Sequence, residues 1–341
     1  MLELNQDNTL DYLRARGWIG PGPARVEPLG WGVSNAVLRV TTPEQSFVLK
    51  QSRPQLRTRD AWFSDLNRVY REEEVMRVLH GLLPGLTVPQ VLFSDRDNFV
   101  FAMSLAPLHA RVWKEALLAG EVDLSVAELA GRILGLIHQS TAQDKSLVKR
   151  FQDHKVFVQL RVEPFYVRIQ ERRPEVASAV APIIERMLST KEALCHGDYS
   201  PKNILTHDQG FTLVDYETAH FGDPTMDLGF FLSHLILKAV KNAPQYGEYF
   251  DLTRHFWHEY HRVVHFRPAA ELESRAIEHF AVCALARVDG TSPVDYLPAE
   301  ASKEVVRRFA RKILLDRPAS WDDCLEICSA SLTGKQCVPH E

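Results

Sequence analysis

The first hundred residues alternate apolar and polar positions in short runs. "ARVEPLG", "NAVLRVTT" and "QSFVLKQS", separated by glycine and Pro-Glu punctuation, predict three strands of a β-meander. In "SDLNRVYREEEVMRVLHGLL" the period changes to that of a helix. Leu66, Val69, Val75, Val78, Leu79 and Leu82 fall largely on one face, and Gly81 stands near the end. Two further strand-like segments follow, "VPQVLFSD" and "NFVFAMSL", with a turn at Asp95-Arg96-Asp97 between them. From about residue 106 the texture is helical. "SVAELAGRILGLIHQST" opens with Ser125 as a cap and Glu128 three residues on, a capping-box pattern. "DHKVFVQLRVEPFYVRIQERRP" and "PEVASAVAPIIERMLST" continue it, with proline at the boundaries. Residues 203–214 return to strand around a turn at Asp208-Gln209-Gly210, and everything after about 224 reads as helix. The pattern predicts an α+β chain, with a small β-rich lobe over 1–104 and a larger, mostly helical lobe over 105–341.

Composition narrows this further. A formal net charge of −4 argues against a nucleic-acid binder, whose domain is normally basic. The N-terminal residues carry neither the basic n-region nor the apolar h-region of a secretory signal. The most apolar run, "MDLGFFLSHLILKAV", is interrupted by Asp227, Ser233, His234 and Lys238, so it predicts a buried helix rather than a membrane span. The five scattered cysteines, Cys195, Cys283, Cys324, Cys328 and Cys337, suit a reducing cytosol better than a disulfide framework. The expectation is a cytoplasmic protein without membrane partners. Cys324 and Cys328, four residues apart, lack further ligands at zinc-finger spacing and are expected to be core thiols.

The chemistry concentrates in "LCHGDYSPKNILTHDQGFTLVDYE", residues 194–217, where Asp198, Asp215 and Glu217 sit among apolar residues. An unpaired carboxylate is expensive to bury, so a bound cation or a catalytic role is expected. Asn203 and Asp215 flank the predicted hairpin, and an amide oxygen and a carboxylate are hard ligands suited to Mg²⁺. A further carboxylate beside such a metal can accept a proton from a hydroxyl, the division of labour that phosphoryl transfer requires. Upstream, "LGWGVSNAV" places Gly30, Gly32 and Ser34 in a hairpin whose N–H groups could face phosphates. Lys50 ends the apolar part of the third strand, with Glu72-Glu73-Glu74 on the next helix.

In this order the features resemble the aminoglycoside phosphotransferase/choline kinase-type small-molecule kinases, which have a protein-kinase-like fold. The resemblance spans roughly residues 24 to 240 and rests most on "LCHGDYSPKNIL" and "LVDYETAHFGDPTMDLGFF". It implies Asp198 as catalytic base and Asn203 and Asp215 as Mg²⁺ ligands. Lys50 would hold the nucleotide α/β-phosphates, with Glu72 as its ion-pair partner and Glu73 and Glu74 as alternatives by register. Backbone hydrogen bonds to a purine would come from Ser104 and Leu105. The implied cofactors are ATP, or alternatively GTP, with Mg²⁺, and the implied partner is a small hydroxyl substrate.

Departures from protein kinases are plain: Gly197 replaces the arginine of HRD, Tyr216-Glu217 replaces Phe-Gly of DFG, and no APE segment follows. Glu217 and Asp223 could touch metal or substrate; Asp227 reads as a helix cap or as a brace for the catalytic loop, and His196 as a loop support. Asp153, Arg161 and Tyr166 are candidates for the substrate pocket. Acids near the site suit a cationic amine or a polyol, whereas the basic "QSRPQLRTRD" suits an anion. A non-catalytic nucleotide-binding pseudokinase or scaffold is the alternative, but it would be expected to lack the base, the metal ligands or the lysine.

Overall fold

The computed structural model describes residues 1–30, 35–55 and 64–334. The chain separates into two compact units: Met1–Ala110 with His207–Thr218, and Arg111–Thr206 with Ala219–Glu341.

The first unit is an antiparallel sheet and two helices: α1 (Thr9–Ala15), β1 (Arg25–Pro28), β2 (Asn35–Thr41), β3 (Ser46–Ser52), α2 (Arg68–His80), β4 (Val91–Asp95) and β5 (Val100–Ser104). The strand order is β1-β2-β3-β5-β4. β3 is central, and its register sets Lys50 between Val37 and Phe101. The turn at Asp95–Asp97 forms as the sequence predicts, with Asp95 accepting from the Asp97 N–H.

The helix α1 is absent from the sequence reading, because seven residues hold too little periodicity to be seen. Its Tyr12 and Leu13 nevertheless join Val40, Phe47 and Leu49 in one core cluster. The Tyr12 hydroxyl donates to Asp95 (2.6 Å), which also pairs with Arg16 (2.7 Å). The segment 207–218 belongs to this unit: the Leu213 N–H donates to the Thr87 carbonyl, and the Thr212 hydroxyl to that of Leu86.

The second unit is mostly helical. It contains β6 (Arg111–Val112), α3 (Trp113–Ala119), α4 (Leu124–Thr141), α5 (Lys145–Phe151), α6 (Lys155–Phe157), a π-helical stretch Val158–Val167, α7 (Arg168–Arg172) and α8 (Ala177–Ser189). Then come β7 (Ala193–Cys195), β8 (Ile204–His207), β9 (Gly210–Leu213), which lies in the first unit, and β10 (His220–Gly222). The chain continues through α9 (Pro224–Lys241), α10 (Tyr246–Val263), α11 (Ala269–Asp289), α12 (Glu300–Asp316) and α13 (Trp321–Thr333). As expected, α9 is buried almost throughout, and among the described residues no helix is long and apolar enough to cross a membrane. A Cβ on Gly229 would overlap α11 backbone at Ala276 and Phe280, which explains a glycine inside this helix. Cys324 and Cys328 are free and buried in α13.

Two local expectations are corrected. The cap of α4 is Asp123, not Ser125: its extended backbone lets the carboxylate accept the Ser125 N–H (2.9 Å). Glu128 instead meets His255 Nδ1 (2.7 Å). The stretch around Pro164 is π-helical rather than regular helix; proline has no N–H for the α ladder and crowds the preceding turn.

One buried pair carries a pH dependence. His279 on α11 shares a hydrogen bond with the Tyr166 hydroxyl (2.7 Å) at zero exposure. Burial drives its pKa down to about 4 against the pull of Asp223. A depressed histidine contributes stability that is complete above its ordinary value of 6.5 and is lost as pH falls through 4. On this account alone, unfolding free energy should fall by about 3 kcal/mol between pH 6.5 and 4. Urea titrations across that range should show the slope, and His279→Gln should flatten it.

Candidate active site

In the first unit Lys50 is 4% exposed, a burial its ammonium tolerates only with partners. Its Nζ lies 2.5 Å from Glu72 Oε2 and 2.7 Å from Asp215 Oδ1. Burial works against the charge, but Asp215, Glu72 and Glu217 outweigh it and hold the ammonium well above its ordinary range. The register question is thereby answered. Glu72 points to Lys50, while Glu73 pairs with Arg77 (3.0 Å). Asp215 has φ 72°, a left-handed conformation uncommon outside glycine and best tolerated by Asp and Asn.

Glu217 ties two elements together. It accepts from Asn35 Nδ2 (2.8 Å) at the start of β2 and from Arg68 Nε (3.1 Å) on α2. Arg68 has no exposure, yet "NRVYREEE" gives no sign that this charge is the buried one. Gly30 is exposed just after β1, whereas Gly32 and Ser34 lie outside the described residues. The Ser104 N–H donates to the Gln90 carbonyl (2.8 Å) at the end of β5, and its hydroxyl accepts the Gln90 N–H (2.9 Å). Leu105 is the first residue past the strand, half-buried.

In the second unit residues 196–203 form a loop between β7 and β8. Gly197 has φ +75°, which explains why a glycine stands where protein kinases carry arginine. The loop hangs on Asp227 of α9, whose two carboxylate oxygens accept the N–H of His196 (2.6 Å) and of Gly197 (2.8 Å). Burial raises this carboxyl's pKa, but the bond and charge of His138 and the charge and backbone bond of His196 prevail and keep it below its ordinary value. His196 Nδ1 in turn accepts the Asp198 N–H (3.2 Å). Of the two readings of Asp227, the geometry is that of the brace. The cap of α9 is Asp223, which accepts from the Thr225 N–H (3.0 Å) and hydroxyl (2.6 Å). His138, Cys195 and Asp227 bring potential ligand atoms within 4.8 Å, but hydrogen bonds from His138, His196 and Gly197 to Asp227 account for that cluster.

Asp198 is 2% exposed. Its Oδ2 receives Arg161 (2.8 Å), Lys202 (2.7 Å) and the amide nitrogen of Asn203 (3.0 Å). That nitrogen also donates to the Asp198 carbonyl (2.9 Å), so the amide oxygen is what Asn203 has to offer a cation. Arg161 Nε holds the Gly197 carbonyl (2.9 Å), so Arg161 reaches both the loop backbone and the acid. Tyr166 faces His279 inside the core, and Asp153 is exposed, accepting from the Lys155 N–H. Sequence reasoning missed Lys202 although it stands inside the quoted motif; a lysine after proline reads as an exposed loop residue.

Chemically, the first unit presents a lysine between two carboxylates and the second a nearly buried carboxylate gripped by cations. Asp215 in the first unit and Asn203 in the second each carry an oxygen of the hard type.

The family model described as "Phosphotransferase enzyme family" matches residues 25–263. A methylthioribose kinase of Yersinia pseudotuberculosis serotype O:3 is 27% identical over 261 residues, covering 67% of this chain and 63% of that protein. Methylthioribose kinase 1 of Oryza sativa subsp. japonica is 25% identical over 241 residues, 62% of this chain and 56% of that one. The chain thus spans less than two thirds of the length of these curated relatives. Among solved structures, an ethanolamine kinase of Plasmodium vivax aligns over 97% of this chain and 87% of its own, with TM-score 0.54 and 13% identity. An amicoumacin kinase aligns over 92% and 95%, with TM-score 0.56 and 14% identity. At such identities the likeness is one of fold.

Proposed function

Because the chain belongs to the phosphotransferase enzyme family, we propose that it transfers the γ-phosphate of ATP, or alternatively GTP, to a hydroxyl of a small molecule. Asp198 is the base that takes the hydroxyl proton. Asn203 and Asp215 hold Mg²⁺, which when bound supplies charge neutralisation at the phosphates. Lys50 holds the α/β-phosphates, and Glu72 keeps its ammonium in place. The observation that carries the reading is the placement of Lys50 Nζ at 2.5 Å from Glu72 and 2.7 Å from Asp215. A merely structural buried lysine needs one carboxylate; two on one ammonium, one of them 26% exposed, leave an oxygen-rich edge suited to a cation. The names of the relatives direct the acceptor search toward small metabolites that carry a hydroxyl.

The test is Mg²⁺-dependent ADP formation on adding hydroxyl acceptors to the full chain with ATP or GTP. Acceptor-stimulated turnover supports the reading. Nucleotide binding without turnover on any acceptor, together with unchanged behaviour of Asp198→Asn, would favour a nucleotide-binding scaffold.

A further inference from the structure

Resting on that reading, we infer that the acceptor is an anionic hydroxyl compound, its carboxylate or phosphate received by a cluster of cations beside Asp198 in the second unit. The cluster is assembled from distant parts of the chain. Lys114 and Lys238 flank the Tyr296 ring at 5.8 and 5.5 Å. Arg161 and Arg287 approach the Phe165 ring at 5.8 and 5.9 Å. Arg161 also lies over Phe230 (5.6 Å), whose ring is 4.9 Å from that of His234.

Arg161 is paired with Asp198, and Arg287 Nη1 donates to the Ser292 carbonyl (2.5 Å), but among the described residues two of these cations lack a carboxylate partner. Lys238 is 1% exposed, and its Nζ donates to the His234 carbonyl (2.9 Å). Among the described residues no carboxylate forms an ion pair with it or with Arg287. Three buried polar atoms here have no hydrogen-bond partner: His234 Nε2, Arg287 Nε and the Tyr296 hydroxyl. Burial first, and then the neighbouring cations, push Lys238 and His234 well below their ordinary values. The carboxylates felt by Arg287 are Asp198 and the exposed Asp295. A protein interior does not collect like charges around unsatisfied donors for stability, because each costs desolvation and repels the others.

An incoming anion would satisfy the cluster and explain Asp198 as well. Its Oδ2 is held by Arg161 and Lys202. An anionic acceptor gives those cations another partner as its hydroxyl reaches Asp198. A cationic amino alcohol meets the repulsion of Arg161, Arg287 and Lys238 there.

The experiment is thermal unfolding of the full chain without nucleotide, at constant ionic strength, in sodium phosphate, sodium D-glycerate, glycerol or ethanolamine hydrochloride. Phosphate and glycerate should stabilise the wild type, and glycerol and ethanolamine should not. Lys238→Met and Arg287→Met should each weaken the anion affinity by about tenfold or more, as expected when one member of a buried charge pair is removed. The methionines preserve volume, and having two variants guards against one misfolding. A larger shift with phosphate assigns a phosphate ester as acceptor; a larger shift with glycerate assigns a hydroxy acid. No anion shift in the wild type, an equal or larger shift with glycerol or ethanolamine, or an anion shift unchanged in both variants overturns the inference. Adding ATP with Mg²⁺ to the same protein reads the phosphotransfer proposal separately: a silent nucleotide beside a retained anion shift counts against that proposal alone.

Discussion

Replacing Asp198 by asparagine should lower turnover by about 10²–10⁴-fold, the range for a general base, while leaving nucleotide affinity nearly unchanged. Asparagine keeps an oxygen to accept from Arg161, Lys202 and Asn203, so the loop retains its shape. It loses the ability to take a proton at neutral pH. The effect should therefore appear in kcat and in kcat/KM alike, the signature of an interaction made in the transition state. Lys50, Glu72 and Asp215 are untouched, so the nucleotide KM should move little. Steady-state kinetics of wild type and variant with one acceptor decide it. A kcat within threefold of the wild type would remove Asp198 from the chemistry.

The largest expected loss of stability is at Asp227. The carboxylate has no exposure and accepts two backbone N–H groups, with His138 Nε2 at 3.4 Å. Asp227→Ala strands both donors in the interior and leaves His138 without this carboxylate, a loss of about 3–5 kcal/mol, as for breaking a buried charged pair. The control is close by in sequence. Asp223→Ala removes a helix cap and should cost about 1 kcal/mol. Urea unfolding of the two variants separates brace from cap, and equal losses would contradict the distinction. The Gly197 N–H is one of the stranded donors, so Asp227→Ala should also lower turnover at temperatures where the protein is folded.

How far this site could be read in advance depended on sequence distance. Asp198, Asn203 and Asp215 stand within eighteen residues, and their spacing in a short motif is visible without coordinates. The helix α2 and the strands β1 to β5 were legible because each holds a hydrophobic period long enough to recognise. Lys50 with Glu72 was legible up to a register of three glutamates, which only the helix phase resolves. The pairs Arg68–Glu217 and Arg161–Asp198 join residues 149 and 37 positions apart, and no local pattern announces them. Of the cations Lys114, Lys238 and Arg287, only Lys238 stood out in the sequence, as an interruption of a predicted buried helix. Only helix packing brings them together around Tyr296 and Phe165. Asp223 shows the converse: its position after the motif suggested metal or substrate, whereas its Oδ1 caps α9, a role no motif announced.

The central claim, a Mg²⁺–nucleotide site that includes Asp215, is tested most directly by thermal stabilisation with ATP and with GTP, each with and without Mg²⁺. Wild type should be compared with Asp215→Asn, which tolerates the left-handed backbone at this position. At a nucleotide concentration a hundred times Kd the wild type should gain about 2.7 kcal/mol. That gain should require Mg²⁺ and be largely absent in the variant. Stabilisation that is independent of Mg²⁺ and equal in Asp215→Asn, or none with either nucleotide, would contradict the account.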